Sequence, residues 1–210
     1  MEEQELQRRL ELIREYEAWF AHRLGTRVVH KPKLNIWLFL VPFLFIYHFS
    51  ELKRYKENLP GFSQGFIRSK LHALELAAEE IRQGRRKTEA EIVPPADPEL
   101  DKPAMAPVRQ RQEEELRLLL AHYRRLLASS AASYAGMLQE VYGERRKFRD
   151  FVEALQQLEA DLNQTLLAAM PEAEAGGEEA RAVVARMERE SLKLRVADMQ
   201  QFFPAADQRN

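Results

Sequence analysis

The side chains best suited to chemistry are scattered along this chain rather than clustered. Its histidines are His22, His30, His48, His72 and His122, each on a different predicted element. None follows an acidic residue by three positions, so the Glu-x-x-His pattern of helical di-iron bundles is absent, as is His-Glu-x-x-His. The absence of cysteine removes thiolate metal sites, disulfides, prenylation and thiol catalysis. Gly61 to Gly65 lacks the Lys-Ser/Thr that would complete a phosphate-binding loop. The carboxylates lie along polar helix faces, where solvation is their default role. Arg145-Arg146-Lys147-Phe148-Arg149 has charge for phosphates, but Glu144 and Asp150 border it and Phe148 is needed in an apolar seam. These patterns predict a non-enzymatic protein with no cofactor, metal or nucleic-acid partner. A helical metal protein or enzyme assembled from distant His and Glu residues is the third-ranked reading.

The stretch from Leu34 to Phe49 dominates the rest of the sequence. It has sixteen residues and no formal charge, and eleven of them are Leu, Ile, Phe or Val. Those eleven contribute roughly -3 to -7 kcal/mol on a membrane-insertion scale, before penalties for Asn35, Pro42 and His48. The predicted anchor comprises Leu34, Ile36, Trp37, Leu38, Phe39, Leu40, Val41, Pro42, Phe43, Leu44, Phe45, Ile46, Tyr47 and Phe49. As a helix it is about 24 Å long, short of the ~30 Å hydrocarbon core, which leaves spanning and re-entrant insertion both open. Pro42 at its centre favours a kink. Trp37 near one end and Tyr47 with His48 near the other suit the headgroup level. His48 could report pH there, although an interfacial histidine without special role is the simpler reading. The competing placement is the central core helix of a soluble bundle.

Charge is distributed unevenly around this run. Residues 1–25 hold four basic and six acidic groups, residues 26–87 twelve and five, and residues 88–210 sixteen and twenty-two. The middle block is therefore basic where the apolar run lies, as an anionic leaflet would attract. Lys31, Lys33, Lys53, Arg54 and Lys56 are the predicted lipid-headgroup contacts. With Arg23 and Arg27 included, four basic residues precede the run and three follow it. That near balance is best satisfied with both flanks on the cytoplasmic side. No cleavable signal peptide is indicated.

Helical patterns fill most of what remains. Leu6, Leu10, Ile13, Phe20 and Leu24 form a stripe interrupted only by Glu17, which predicts a helix over 2–24 that stops at Gly25. Ser63 is a candidate cap for a helix carrying Ile67, Leu71, Leu74, Ala78 and Ile81, ending near Gly84. Pro94, Pro95, Pro98, Pro103 and Pro107 make residues 85–107 a semi-rigid spacer. Residues 178–202 read as a final helix and 205–210 as a loose tail.

The strongest periodicity runs from Val108 to Met170. Heptad a positions carry Leu120, Leu127, Tyr134, Val141, Phe148, Leu155, Leu162 and Ala169, and d positions include Leu116, Tyr123, Met137, Phe151 and Leu158. The predicted helix-partner seam is Leu116, Leu120, Tyr123, Leu127, Tyr134, Met137, Val141, Phe148, Phe151, Leu155, Leu158 and Leu162. Ser129 to Gly136 and Gly143 are candidate bends, but the unchanged phase favours one helix of about 95 Å. Extra apolar residues beside the seam favour a bundle over a bare two-stranded rod.

The expectation is an all-α, membrane-associated helical protein with a long coiled-coil-like helix or helical bundle. Residues 1–84 form the membrane-proximal region, 85–107 the linker and 108–210 the coiled-coil-like region. Its predicted function is that of a membrane-anchored scaffold, with most of the chain on the cytoplasmic side, that self-associates or binds a helical protein partner.

Overall fold

The computed structural model describes residues 3–28, 59–92, 102–169 and 178–204. Regular structure in these residues is helical throughout: α1 (Glu3–Val28), α2 (Leu59–Gln83), α3 (Glu89–Ile92), a 3-10 turn (Pro103–Met105), α4 (Ala106–Ala128), α5 (Tyr134–Tyr142), α6 (Arg145–Ala169) and α7 (Glu178–Phe202). The fold class is all-α, as the periodicities predict.

Contacts between helices give each one a direction. Glu3 meets Arg82, Arg14 meets Glu75 and Glu17 meets Lys70, so α1 and α2 run antiparallel. Arg9 donates to the Leu127 carbonyl and Tyr123 to Glu17, which sets α4 antiparallel to α1 as well. Helices α2 and α4 are consequently parallel. Val108 packs with Leu162 and Leu166 while His122 stacks on Phe151, making α6 antiparallel to α4. Helix α7 returns alongside both α6, through Glu159–Arg195 and Asn163–Glu188, and α1, through Tyr16–Asp198 and Arg27–Glu190.

These five long helices define a bundle with an upper end, where α1 and α6 finish and α2, α4 and α7 begin. The lower end holds the opposite termini and α5. Because α2 finishes at the lower end and α4 starts at the upper one, the chain between them must return the length of the bundle. Within 85–107 the described residues include the short helix α3 and the 3-10 turn before α4. The segment does not separate two cores. One apolar cluster takes Leu6, Leu10 and Ile13 from α1, Leu74 and Ala77 from α2, Leu120 and Leu127 from α4, Met137 from α5, Leu155 from α6 and Phe202 from α7. Ile92 of α3 joins it, and Glu89 bonds Arg117 at 2.9 Å.

Three sequence expectations need correction. Helix α2 begins at Leu59, so Ser63 lies inside it and is not its cap, since Pro60 is tolerated in a first turn whose amides have no intrahelical partner. Helix α1 does not stop at Gly25 but continues to Val28, with Gly25 buried inside it. Leu24 and Val28 both enter a second cluster with Val184 and Met187, and burial worth about 1.5–3 kcal/mol per large apolar side chain outweighs the ~1 kcal/mol helix cost of glycine.

The heptad run of 108–170 is likewise not one helix. It breaks between Ala128 and Tyr134 and again at Gly143, the two weak points visible in the sequence. Ser133 caps α5 by accepting from the Gly136 amide at 3.1 Å, and the Glu140 carboxylate accepts from the Ser129 hydroxyl at 2.9 Å and the Ser130 amide at 3.1 Å. Gly143 ends α5 at φ +67° and ψ -45°, the centre of a γ-turn in which the Glu144 amide donates to the Tyr142 carbonyl at 2.7 Å, a positive-φ conformation that costs side-chain-bearing residues. The phase survives both breaks because each piece separately turns its apolar face to the same core.

The predicted seam is therefore internal. Leu116, Leu120, Tyr123, Leu127, Met137, Phe148 and Leu155 are buried in the main cluster, with Tyr134, Val141 and Phe151 packed against it. Leu162 is buried with Val108, and Leu158 is half-buried.

Leu127→Asp is expected to abolish cooperative thermal unfolding followed by circular dichroism, since an unpaired buried charge costs several kcal/mol against a typical total of about 5–15. A variant that stays folded and only loses oligomeric mass would restore the intermolecular seam. Gly143→Ala meets no atom within 4 Å, so its expected loss of about 1–3 kcal/mol in denaturant unfolding is a backbone effect alone.

Candidate functional site

The predicted anchor, residues 34–49, and the headgroup contacts Lys31, Lys33, Lys53, Arg54 and Lys56 lie outside the described residues. Among the described residues no helix is long and apolar enough to cross a membrane. What the fold does position is the two ends of the connecting segment. Continuing the α1–α2 register upward from Glu17–Lys70 sets Val28 level with Leu59 at the upper end of the bundle. The thirty residues of 29–58 start and finish there.

The histidines are not brought together. His122 is buried and its Nδ1 lies 2.8 Å from the Tyr142 hydroxyl, which also accepts from Arg125 at 3.0 Å. Burial, reinforced by Arg125 and Lys70, pushes His122 down to about 3, so it is a neutral packing group near pH 7. His72 is also lowered, chiefly by burial. His22 is exposed on α1, and His30 and His48 lie outside the described residues. No group of three or more His, Asp or Glu residues suited to holding a metal occurs among the described residues. The basic cluster at 145–149 is exposed apart from Phe148, which is in the core, and Lys147 and Arg149 lie near Glu144 and Glu153.

The unexpected feature is a layer of charge inside the bundle, to which α1, α2, α4, α6 and α7 each contribute. Glu17 is 5% exposed; its Oε1 accepts from the Tyr123 hydroxyl at 2.9 Å. Lys70, also buried, sits 3.1 Å from Oε2 as an ion pair without hydrogen-bond alignment. Arg195 donates to Glu159 at 2.6 Å, and Lys70 and Arg195 lie 5.1 and 5.7 Å from the centre of the Phe20 ring. Asp198, 2% exposed, accepts from Tyr16 and from Arg23, both at 2.9 Å. Tyr16 stacks on Tyr134 with ring centres 3.9 Å apart, and burial raises both phenols well above their ordinary value. Burial also raises Tyr123, helped by the Glu17 charge, so it is a fixed donor at neutral pH. Glu115 of α4 completes the layer, fully enclosed, with Oε2 lacking a hydrogen-bond partner.

The layer sits between the large lower cluster and two smaller upper ones, formed by Phe20, Leu24, Val28, Val184, Met187 and Leu194 and by Val108, Leu162 and Leu166. Its chemistry is electrostatic: matched charges and phenol donors fix how five helices meet. Sequence reading missed Lys70, Glu115, Glu159, Arg195 and Asp198, which look like ordinary polar-face residues. One signal was available, because Glu17 interrupts an otherwise apolar stripe.

Removing one partner should be worse than removing both. Lys70→Met leaves the Glu17 charge buried and is expected to cost about 3–5 kcal/mol in denaturant unfolding, with Glu17→Gln in the same chain recovering a large part of it. Additive losses in that double-mutant cycle would mean the two side chains are not coupled. Comparison with protein-family models, with curated proteins and with solved structures gives no match to this chain.

Proposed function

We propose that the protein is a non-enzymatic, membrane-anchored helical bundle that carries interactions at a lipid surface, with residues 34–49 inserted from one leaflet. The observation that carries this reading is the antiparallel pairing of α1 and α2, which brings both ends of the apolar segment to one end of the bundle. A single crossing would place Val28 and Leu59 on opposite sides of a membrane while their helices pack along their length. Two crossings need about 40 apolar residues, and 29–58 supplies thirty, with Lys31, Lys33, Lys53, Arg54 and Lys56 among them. A re-entrant segment kinked at Pro42 satisfies both constraints. Lys31, Lys33, Lys53, Arg54 and Lys56 then approach the headgroups of the same leaflet.

The second reading makes 34–49 the core helix of a soluble bundle. A helix without a polar face needs apolar neighbours on all sides. Where side chains are described, the helices bury their apolar faces against one another, and the large hydrophobic side chains left exposed there are Trp19, Leu192 and Val196. Among those described side chains, the exposed apolar surface is small for a sixteen-residue apolar run. With the heptad seam internal, a helical partner or a second copy would have to use exposed side chains such as Trp19 on α1 and Leu192 and Val196 on α7.

Carbonate washing of membranes is the direct test: the intact chain should resist extraction and a chain lacking residues 34–49 should be released. Release of both would favour the core-helix reading. Because the chain has no cysteine, Thr26→Cys and Glu57→Cys can each be labelled singly in sealed vesicles with an impermeant maleimide. Reaction from the same face is expected, and reaction from opposite faces would overturn the re-entrant topology.

A further inference from the structure

The charge layer contains a carboxylate oxygen, Glu115 Oε2, that is buried without a hydrogen-bond partner. Lys70 already faces Glu17 at 3.1 Å, Arg195 already donates to Glu159 at 2.6 Å, and Asp198 is matched by Arg23 at 2.9 Å. That leaves Glu115 as a third carboxyl beside two spoken-for cations. The groups that act on it come from every helix around it: the Glu159 carboxylate from α6, Lys70 from α2 and Arg195 from α7, with Glu17 of α1 behind Lys70. Glu115 is 4% exposed and its Oε2 is enclosed without a hydrogen-bond partner. In the same layer, Arg195 Nη1 and the Ser191 hydroxyl also lack hydrogen-bond partners.

A carboxylate in that position would bury a net negative charge in a low-dielectric interior, beside a second carboxylate. The carboxylic acid restores neutrality: Glu17 and Glu159 against Lys70 and Arg195. We propose that Glu115 is an internal proton-binding site, which holds its proton through neutral pH and whose deprotonation loosens the packing of α6 on α4 and of α7 on α6. Burial and then the Glu159 charge push Glu115 up to about 8, against the opposing pull of Lys70 and Arg195. The consequence is confined by position. Below Glu115 the large cluster holds α4, α5 and α6 together, whereas above it, among the described residues, the small cluster of Val108, Leu162 and Leu166, with Met105 and Ala169 against it, joins α4 to α6. Charge released at the layer therefore separates the upper half first, the half where α1 finishes and α2 begins.

The sign of the stability effect follows from the direction of the shift. Folded Glu115 binds its proton up to about 8, while the unfolded side chain releases it near 4.5. The group's contribution is complete below 4.5, falls as pH rises and is gone above about 8. This inference is independent of the membrane reading.

The test uses the full chain in mild detergent. Its infrared spectrum should contain the C=O stretch of a protonated carboxyl at pH 6 and lose it as pH is raised through about 8; Glu115→Gln should lack it at every pH in that range. In thermal melts Glu115→Gln should match the wild type near pH 4.5 and exceed it by several degrees at pH 9. Above pH 8, wild-type amides in 159–166 and 184–195 should lose exchange protection relative to Glu115→Gln, after correction for intrinsic rates. Absence of the wild-type band at pH 6 would overturn the proposal even if the variant failed to fold. So would persistence of the band in Glu115→Gln, or parallel melting profiles for the two chains. A sodium- or potassium-dependent rise in melting temperature with no acid band would assign the position to a cation instead.

Discussion

The bundle depends on neutralising charge in its own interior. Glu17 is held between a phenol donor from α4 and an ammonium from α2, and the Glu159–Arg195 pair ties α6 to α7 at the same height. Burying these groups carries a large desolvation cost that apolar side chains of similar size would not incur. What the charges add is geometric: an apolar stripe tolerates sliding by a turn, whereas a carboxylate 2.9 Å from one phenol does not. Five helices with broad apolar faces could pack in several registers, and the polar layer selects one.

Connectivity supplies the other constraint. Parallel α2 and α4 cannot be joined by a tight turn, so the chain between them spans the bundle and picks up a short helix, α3, that fills the core through Ile92. In contrast α1 and α2 are an antiparallel pair whose ends lie level, where a short loop would serve. The chain instead places thirty residues there, among them its most apolar run. A connection of that length adds loop-closure cost that joining α1 to α2 does not require, which is a further ground for the proposed membrane role.

Much of this architecture was legible from period and punctuation. The helical stripes of α1, α2 and α7 and the stop at Gly84 follow from spacing, and Gly84 has the left-handed backbone expected of a helix end. The unbroken heptad phase from Leu116 to Leu162 misled, because seven-residue spacing records which face is apolar and carries no information about whether the axis continues. Ser129 to Gly136 and Gly143 carried that information, and their turn chemistry outweighed the phase. The interior charges were hidden for a different reason. Lys70 and Glu115 sit next to apolar stripe residues in sequence, and which side of such a residue faces inward depends on how wide a face the neighbouring helices cover. That is a tertiary property, and only the interruption at Glu17 betrayed it locally.

Helix α1 closes the bundle against partners that are far away in the chain. Its hydrogen bonds reach 118 residues ahead to Leu127 and 182 ahead to Asp198. On a ribosome α1 is made before the helices it packs against, and α7 follows it after about 10–40 s at ordinary elongation rates. Throughout that interval its apolar stripe is without its α7 partner, and its buried glutamate waits for Tyr123. The apolar run emerges soon after α1 and long before α7, so the nascent chain meets its surroundings with that run exposed before its own fold can be completed.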